Sequence, residues 1–299
     1  MTDVYLYGMI APSVVYFLRD DFAYPGANGY AEVSRTLPSI GGEAANSAIV
    51  LARLGLTTKL DGCWINRPHA GRVTSTLAGY GIDVSRLTVV DSGSADEIVI
   101  ADGESRTVFG NYAAFLSGPR QWNEAQATDI AEAAIVCLDP FFRDSARRTA
   151  ELCVEHGKPY VTLDSPHDDF LARYSAAIAI SHELREQAYA GADMREVFGK
   201  YLEACDGLVV FTFGGDEVWY GRRGGSLTVR RPYAIDPIDT TGAGDSFRGA
   251  LAYGLLQGWQ DEHVVDFASA VAACVCMTVP HALAAPDLQG VLEFMERHR

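Results

Sequence analysis

The sequence predicts a three-layer α/β protein with a mostly parallel central sheet and a small projecting β-sheet. Short apolar strands alternate with amphipathic helical segments along most of the chain, which is typical of parallel strands joined by right-handed helical crossovers. Polar residues follow several of these strands, as expected where the carboxyl edge of a sheet carries a site. The 299 residues suit one domain with an appendage. We therefore expect a single domain over 1–299, with the small sheet built from about 12–38 and 96–112.

The first part of the chain predicts one buried strand followed by the small sheet. Residues 4–10 form an apolar run, and 14–18 and 30–37 flank a polar, glycine-rich stretch. Strands at 98–100 and 107–109 flank Asp102-Gly103, a strong hairpin signal. An ordinary surface hairpin is the simpler alternative for the first pair of strands.

The rest of the chain predicts the main domain. An apolar face marks a helix at 43–54, which Gly55 ends. We expect strands at 60–64, 87–90, 135–138, 160–163, 176–180 and 208–211, helices at 73–80, 144–155 and around 183–203, and edge strands at 219–220 and 227–229. A buried helix follows at 264–278, and an amphipathic one at 291–295 closes the chain.

Residues 242–245, Gly-Ala-Gly-Asp, predict a tight bend that leads into a helix. The apolar residues Phe247, Ala250 and Leu251 follow at helical spacing. The first amides of a helix lack intrahelical partners and lie at the positive end of its dipole, so they attract an anion. An acid at the same place suits phosphoryl transfer to an alcohol, in which a carboxylate orients the hydroxyl and takes its proton. A helix cap after a turn is the simpler alternative.

Two stretches resemble the signatures of one family. Residues 239–247, DTTGAGDSF, resemble the C-terminal signature of the ribokinase-like (PfkB) carbohydrate kinases, and 41–46, GGEAAN, resemble the N-terminal one. The resemblance covers nearly the whole chain. It implies a ribokinase-like fold whose small sheet is a lid, and ATP-dependent transfer of a phosphoryl group to a hydroxyl of a small sugar, sugar derivative or nucleoside. The implied cofactors are ATP and Mg²⁺, with K⁺ in some members.

The resemblance also implies roles for individual residues. Asp245 would be the catalytic base, with Gly242, Ala243 and Gly244 completing the anion hole. Substrate contacts would come from Gly41, Gly42, Asn46, Arg106 and Asn111, and nucleotide contacts from Thr212, Gly214 and Gly215. Asp239 and Thr241 match positions that hold a monovalent cation in some members.

Three positions depart from the family pattern. Ser13 stands where many members carry an acidic sugar-binding residue, which indicates altered sugar recognition. Ser181-His182-Glu183-Leu184 occupies the place of the usual NxxE element, so Glu183 and Glu186 are the candidate substitute magnesium ligands, with ATP and water holding the ion as the alternative. Glu43 stands where kinases of phosphosugars often have Lys, and a carboxylate there would repel a sugar phosphate. We therefore expect an unphosphorylated substrate.

The composition of the chain limits the classes of molecule that we expect it to bind. A formal charge of −15 argues against nucleic acid and against an anionic membrane surface. No apolar run approaches about 20 residues, and the N-terminus lacks signal-peptide features, so we expect a cytoplasmic protein. The six cysteines show no metal-binding spacing, which favours buried free thiols. The expected partner is a small sugar-like molecule, and the expected state is a monomer or a homodimer through the lid.

A second class of function stays open at this point. A non-catalytic or regulatory protein that binds a sugar or nucleoside and keeps the kinase fold would explain the changes at Ser13 and Ser181. A dehydrogenase is disfavoured because no GxGxxG follows the first strand, and a P-loop kinase because GxxxxGK[ST] is absent.

Overall fold

The computed structural model describes residues 2–102 and 106–298. Within these residues the strands are β1 (Thr2–Gly8), β2 (Ala11–Leu18), β3 (Val33–Gly41), β4 (Thr58–Gly62), β5 (Ile65–Asn66), β6 (Val89–Val90), β7 (Glu97–Ala101), β8 (Arg106–Gly110), β9 (Ala133–Leu138), β10 (Tyr160–Leu163), β11 (Ala177–Ile180), β12 (Leu208–Thr212), β13 (Val218–Gly221) and β14 (Thr228–Arg230). The helices are α1 (Glu43–Arg53), α2 (Arg67–Gly79), α3 (Tyr112–Ser117), α4 (Ala127–Glu132), α5 (Asp144–Glu155), α6 (Phe170–Arg173), α7 (His182–Ala188), α8 (Met194–Ala204), α9 (Ala243–Leu256), α10 (Asp261–Cys276) and α11 (Leu288–Arg297).

The main sheet confirms the predicted architecture. Among the described residues it has eight strands, in the order β14-β13-β12-β11-β10-β9-β1-β4. From β4 to β12 all neighbours are parallel, and only β13 and β14 pair antiparallel at one edge. Because the parallel strands share one direction, their carboxyl ends meet at a single edge, where the polar residues that follow them gather.

Helices cover both faces of this sheet. Side chains along a strand alternate between its faces, and β11 and β12 show this clearly. Ile178 and Val209 pack with the buried face of α8, whereas Ala177 and Leu208 belong to the main core, which includes α1, α9 and α10. All six cysteines are buried and free, as predicted. None of the helices in the described part of the chain is long and apolar enough to cross a bilayer.

The small predicted sheet is present and has the order β3-β2-β7-β8. We call it the lid. Strand β2 pairs antiparallel with β3 and parallel with β7, and β7 and β8 form the expected hairpin. Gly103, the second residue of the predicted turn, lies outside the described residues. The strands fall within the segments predicted at 12–38 and 96–112, except that β2 starts at Ala11 and β3 continues to Gly41.

Several predicted boundaries were wrong for physical reasons that pattern does not reveal. The strand predicted to reach residue 64 ends at Gly62, whose backbone has a φ of 136° and lies so close to β1 that a Cβ would be 2.0 Å from the Gly8 carbonyl oxygen. The first strand stops at Gly8 rather than residue 10. The helical segments predicted around 183–203 are present as α7 and α8. Helices α3, α4 and α6 were not predicted, since each is only one to two turns long.

Candidate active site

The bend at 242–245 is the N-terminus of α9, as the sequence predicted. Gly242 caps the helix in a left-handed conformation, with φ 71° and ψ 6°, which L side chains rarely adopt. The backbone N–H and the hydroxyl of Ser246 both donate to the Gly242 carbonyl, at 2.9 and 2.7 Å. The N–H groups of Gly244 and Asp245 lie in the first turn of α9, where no helical carbonyl is available to accept from them. Since a Cβ on Gly244 would meet nothing within 4 Å, open space lies beside the bend.

The Asp245 carboxylate is oriented by the other signature. Asn46, in α1, donates from Nδ2 to Asp245 Oδ2 at 2.8 Å. Its neighbour Ser47 donates from Oγ to the Asp245 backbone carbonyl at 2.9 Å. Asn46 is 3% exposed, and its Oδ1 has no hydrogen-bond partner among the described residues. The structure therefore brings Asn46 and Asp245 together and leaves an amide oxygen that a substrate hydroxyl can satisfy.

A buried ion pair holds α1 and α9 together next to this site. Arg248, one turn after the bend in α9, pairs with Asp139, which directly follows β9, and both side chains are fully buried. Arg248 Nη2 also donates to Ser47 Oγ at 3.0 Å, and the Met9 amide donates to Asp139 Oδ2 at 2.6 Å. Burial raises the pKa of the Asp139 carboxyl, and the Arg248 guanidinium opposes that rise. The pair thus joins α9 to α1 and to the carboxyl ends of β1 and β9.

Gly41 and Gly42 bring backbone close to two other parts of the site. A Cβ on Gly41 would be 2.1 Å from Oε1 of Glu97, the first residue of β7, and one on Gly42 would be 2.4 Å from the Met9 carbonyl oxygen. Gly42 also has a φ of 95°. Any side chain at either position would displace a neighbour, so these glycines allow the lid and β1 to approach the start of α1.

Acidic groups gather where the lid meets the bend. The Tyr112 hydroxyl donates to Glu97 Oε2, and its pKa is raised by burial, by Glu97 and, less strongly, by Glu43 and Asp245. Glu43 is half-buried, and burial raises the pKa of its carboxyl, with Asp245 and Asp139 adding to the rise. Glu43, Glu97 and Asp245 therefore lie within electrostatic reach of the Tyr112 hydroxyl.

The remaining predicted substrate residues are placed differently. Ser13 lies opposite Glu97 in the lid register, so both side chains point to the same face. Its Oγ is buried and has no partner among the described residues. Arg106, at the start of β8, is exposed, and its charge lowers the pKa of His281. The Asn111 amide bonds the Asp96 N–H and the Ser94 carbonyl, at 3.0 and 2.9 Å, so it joins the loop before β7 to α3 and its substrate role stays a prediction.

The predicted nucleotide residues form the turn after β12. Arg185 Nη2 donates to the Thr212 carbonyl at 2.7 Å, and its guanidinium lies 3.8 Å from the centre of the Phe213 ring. Gly214 has a φ of 60°, and a Cβ on Gly214 or Gly215 would meet nothing within 4 Å. The turn is thus anchored by a buried arginine, and its glycine backbone faces open space where a phosphate can approach.

Two carboxylates near the bend fit a hard cation. Glu183 is exposed in the first turn of α7, and Asp164 follows β10 with a φ of 40°. Burial raises the pKa of Asp164, the N–H of Ser181 opposes the rise with a 2.7 Å hydrogen bond, and Glu183 and Asp245 add to it. The described residues contain no group of three such ligands, so a Mg²⁺ ion would complete its oxygen shell with phosphate and water.

Asp239 and Thr241 lie immediately before the bend. Asp239 Oδ1 accepts from the Thr241 N–H at 2.8 Å, and Asp239 Oδ2 lies 3.0 Å from Nδ1 of His281. Thr241 Oγ1 is buried without a described partner. His281 was not predicted as part of the site. Its sequence signal is faint, since it is a lone histidine beside Pro280, far along the chain from the signature.

The site brings unpaired helix amides and an oriented carboxylate together beside the lid, an arrangement suited to transferring a phosphoryl group to a small alcohol. Residues 4–286 match the pfkB family carbohydrate kinases, and the chain belongs to this family. Members of the family are ATP-dependent kinases.

Known relatives agree with this assignment. The chain is 25% identical over 254 residues to the 1-phosphofructokinase of Escherichia coli (strain K12), with 78% of each chain covered. It is 25% identical over 284 residues to the ATP-dependent ribose-1-phosphate kinase of Halopiger xanaduensis, with 91% of each covered. The structure of Arabidopsis thaliana ribokinase complexed with ribose and ATP superposes with a TM-score of 0.80 at 18% identity, covering 99% of both chains, which confirms the ribokinase-like fold.

Proposed function

We propose that the protein transfers the γ-phosphoryl group of ATP to a hydroxyl of a small unphosphorylated sugar, sugar derivative or nucleoside. The observation that supports this most directly is the Asp245 carboxylate, which Asn46 holds at the first turn of α9. Among the described residues it forms no ion pair. A carboxylate that only stabilised the fold would be expected to bond several groups around it, whereas this one keeps an oxygen for a ligand.

Asp245 acts as the base of the proposed reaction. It aligns the acceptor hydroxyl and takes its proton as the oxygen bonds to phosphorus. The unpaired amides of Gly244 and Asp245 and the dipole of α9 neutralise charge on the phosphoryl group during transfer. Asn46 keeps the carboxylate in line, and its free Oδ1 accepts a hydrogen bond from another hydroxyl of the same substrate.

ATP would bind along the turn after β12, with its phosphates directed toward the bend. Thr212, Gly214 and Gly215 offer a hydroxyl and accessible backbone there. Glu183 and Asp164 would hold Mg²⁺ together with phosphate oxygens, and the ion would supply further neutralisation of the phosphate charge. The ribokinase that superposes on this chain with a TM-score of 0.80 was crystallised with ribose and ATP, which supports a nucleotide at the carboxyl edge of this fold.

The charge around the acceptor favours an unphosphorylated substrate. Glu43, Glu97 and Asp245 act together on Tyr112, and the cation that lowers the pKa of Glu43 is Arg248, which Asp139 already pairs. A phosphate brought beside Glu43 would meet the like charge of these carboxylates. Hydroxyl or ammonium groups would instead donate to these acceptors.

The test is ADP release with ATP and a panel of neutral, amino-substituted and phosphorylated sugars and nucleosides. Asp245→Asn keeps the shape and the hydrogen bond from Asn46, and we expect kcat to fall by roughly 10²–10⁴-fold with little change in nucleotide binding. Asp144→Asn is the matched control, since Asp144 is an exposed acid in the first turn of α5. Near-normal kcat in Asp245→Asn would defeat the base assignment.

The same panel separates a kinase from a protein that only binds sugars. A non-catalytic binder would raise the melting temperature with a sugar or nucleoside but release no ADP. Glu43→Lys adds a direct test of substrate charge, because it replaces a repelling group by an attracting one. We expect this variant to gain activity on phosphorylated acceptors relative to neutral ones.

The lid supports a homodimer as the alternative to a monomer. Ile98 and Phe109 lie directly opposite each other on β7 and β8, and they are 45% and 49% exposed. A second lid packed on this apolar pair would remove it from water. The mass in solution decides between the two states.

A further inference from the structure

His281 is a buried residue that the phosphoryl-transfer mechanism does not use. It begins a short turn at His281–Ala284 and is 2% exposed. Its Nδ1 lies 3.0 Å from Asp239 Oδ2. A carboxylate oxygen only accepts hydrogen bonds when ionised, so Nδ1 carries the proton and donates.

The hydrogen bond continues from Asp239 to the bend. The second oxygen of Asp239 accepts from the Thr241 N–H at 2.8 Å, and Thr241 directly precedes Gly242. Asp239 is itself fixed by its own N–H, which donates to the Cys276 carbonyl at 3.1 Å. The direction of the Thr241 peptide, and therefore the path of the chain into the left-handed Gly242, depends on where this carboxylate is held.

On its other side the imidazole faces the lid. His281 Nε2 lies 3.5 Å from Oγ of Ser39 in β3, and with the proton on Nδ1 it is the acceptor of that hydroxyl. His281 also has a φ of 31°, a left-handed backbone that a non-glycine residue keeps only where its surroundings hold it. A buried, strained residue thus lies between the lid strand and the bend.

The family resemblance places a monovalent cation at Asp239 and Thr241, and the residues present do not fit one. Such a cation would need oxygen atoms on several sides, including the carboxylate of Asp239. Here Asp239 Oδ1 receives the Thr241 N–H and Oδ2 receives the His281 N–H, so a proton donor faces each oxygen. Each oxygen of the carboxylate therefore already accepts from an N–H group, and the His281 ring lies against the oxygen that does not bond Thr241.

We infer that His281 is a positioning residue for the anion-binding bend, which it holds through Asp239 in place of a bound monovalent cation. The inference rests on the proposed kinase function only for its effect on turnover. The binding of potassium to the protein is tested separately. Two consequences follow. Turnover does not require potassium, and loss of the imidazole opens a position beside Asp239 that a cation can fill.

The first experiment compares potassium, sodium and choline chloride at equal ionic strength. We expect the wild-type protein to show the same kcat and the same melting temperature in all three salts. In His281→Ala we expect kcat to fall about tenfold in choline, with KM for the acceptor unchanged, and to recover in potassium, since the lost hydrogen bond to a charged group is worth about that factor. Potassium should also raise the melting temperature of this variant specifically.

The controls separate positioning from ordinary stability. His156→Ala removes an exposed histidine at the end of α5 and should change neither quantity. His281→Gln retains a donor and should keep more activity than His281→Ala, which also covers the case in which the alanine variant does not fold. A purely structural role would lower stability in every salt equally.

The two proposals fail in different ways. Wild-type protein that needs potassium for turnover, or that potassium stabilises specifically, would overturn the role of His281 and leave the kinase assignment intact. Wild-type protein without turnover on any acceptor would instead count against the kinase assignment, and the melting temperatures in the three salts would still decide the role of His281.

Discussion

The pair of Asp139 and Arg248 gives the sharpest quantitative prediction. Replacing Arg248 by Met keeps much of the volume and removes the charge, which leaves the buried Asp139 carboxylate with only the Met9 N–H as a described donor. Breaking a buried pair in this way costs about 3–5 kcal/mol of unfolding free energy. At about 2 °C per kcal/mol for a chain of this size, the melting temperature should fall by about 6–10 °C.

A double-mutant cycle is the assay that isolates the pair. Asp139→Asn alone leaves Arg248 buried without its partner and should also destabilise strongly, whereas Asp139→Asn combined with Arg248→Met removes both charges and should recover much of the loss. Urea unfolding and calorimetry measure each variant, with Arg222→Met, which breaks the exposed pair with Asp261, as the control expected to cost under about 1 kcal/mol. Additive losses without coupling would refute the reasoning.

Four further predictions follow from the same contacts. Asn46→Ala removes the donor that orients Asp245, so kcat measured by ADP release should fall by about 10²-fold while ATP binding persists. Burial raises the pKa of Glu43 in the folded protein above its ordinary 4.5, so the folded state loses stability as the pH rises from 4.5 through that raised pKa. Glu43→Gln should therefore raise the melting temperature at pH 8 and give no gain near pH 4. Gly8→Ala places a Cβ 1.9 Å from an Asp139 oxygen and should cost about 1–3 kcal/mol in denaturant unfolding. Ile98→Lys should yield monomers in light scattering if the lid forms a dimer, and an unchanged mass would show that this face is free.

The sequence was sufficient for the architecture because each prediction rested on a repeating pattern. Apolar strands separated by helices indicate parallel crossovers, and the sheet has the expected buried parallel strands with an antiparallel edge. Boundaries at Gly8 and Gly62 were misplaced, since each of these strands ends at a glycine that another part of the chain approaches too closely for a side chain: the Asp139 side chain at Gly8, and the Gly8 backbone at Gly62. Such an approach joins segments far apart in sequence, and no local pattern records it.

The site was only partly predictable for a related reason. The bend at 242–245 and Asn46 lie in compact motifs, and the structure places them in contact. Asp139 was visible only as one of several polar residues that follow strands, and the sequence analysis did not single out Arg248. Their roles depend on which strand end lies under which helix turn, and that is set by the packing of α9 against α1 and the sheet.

His281 shows most clearly what a sequence motif leaves undetermined. Asp239 belongs to the signature, and the signature alone suggests a cation beside it. The structure instead brings a histidine from 42 residues further along the chain to the same carboxylate. A motif therefore specifies which group needs a partner, whereas the fold decides which partner it receives. Two chains with identical DTTGAGD runs can thus differ in their need for potassium, because the difference lies in a residue that the motif does not contain.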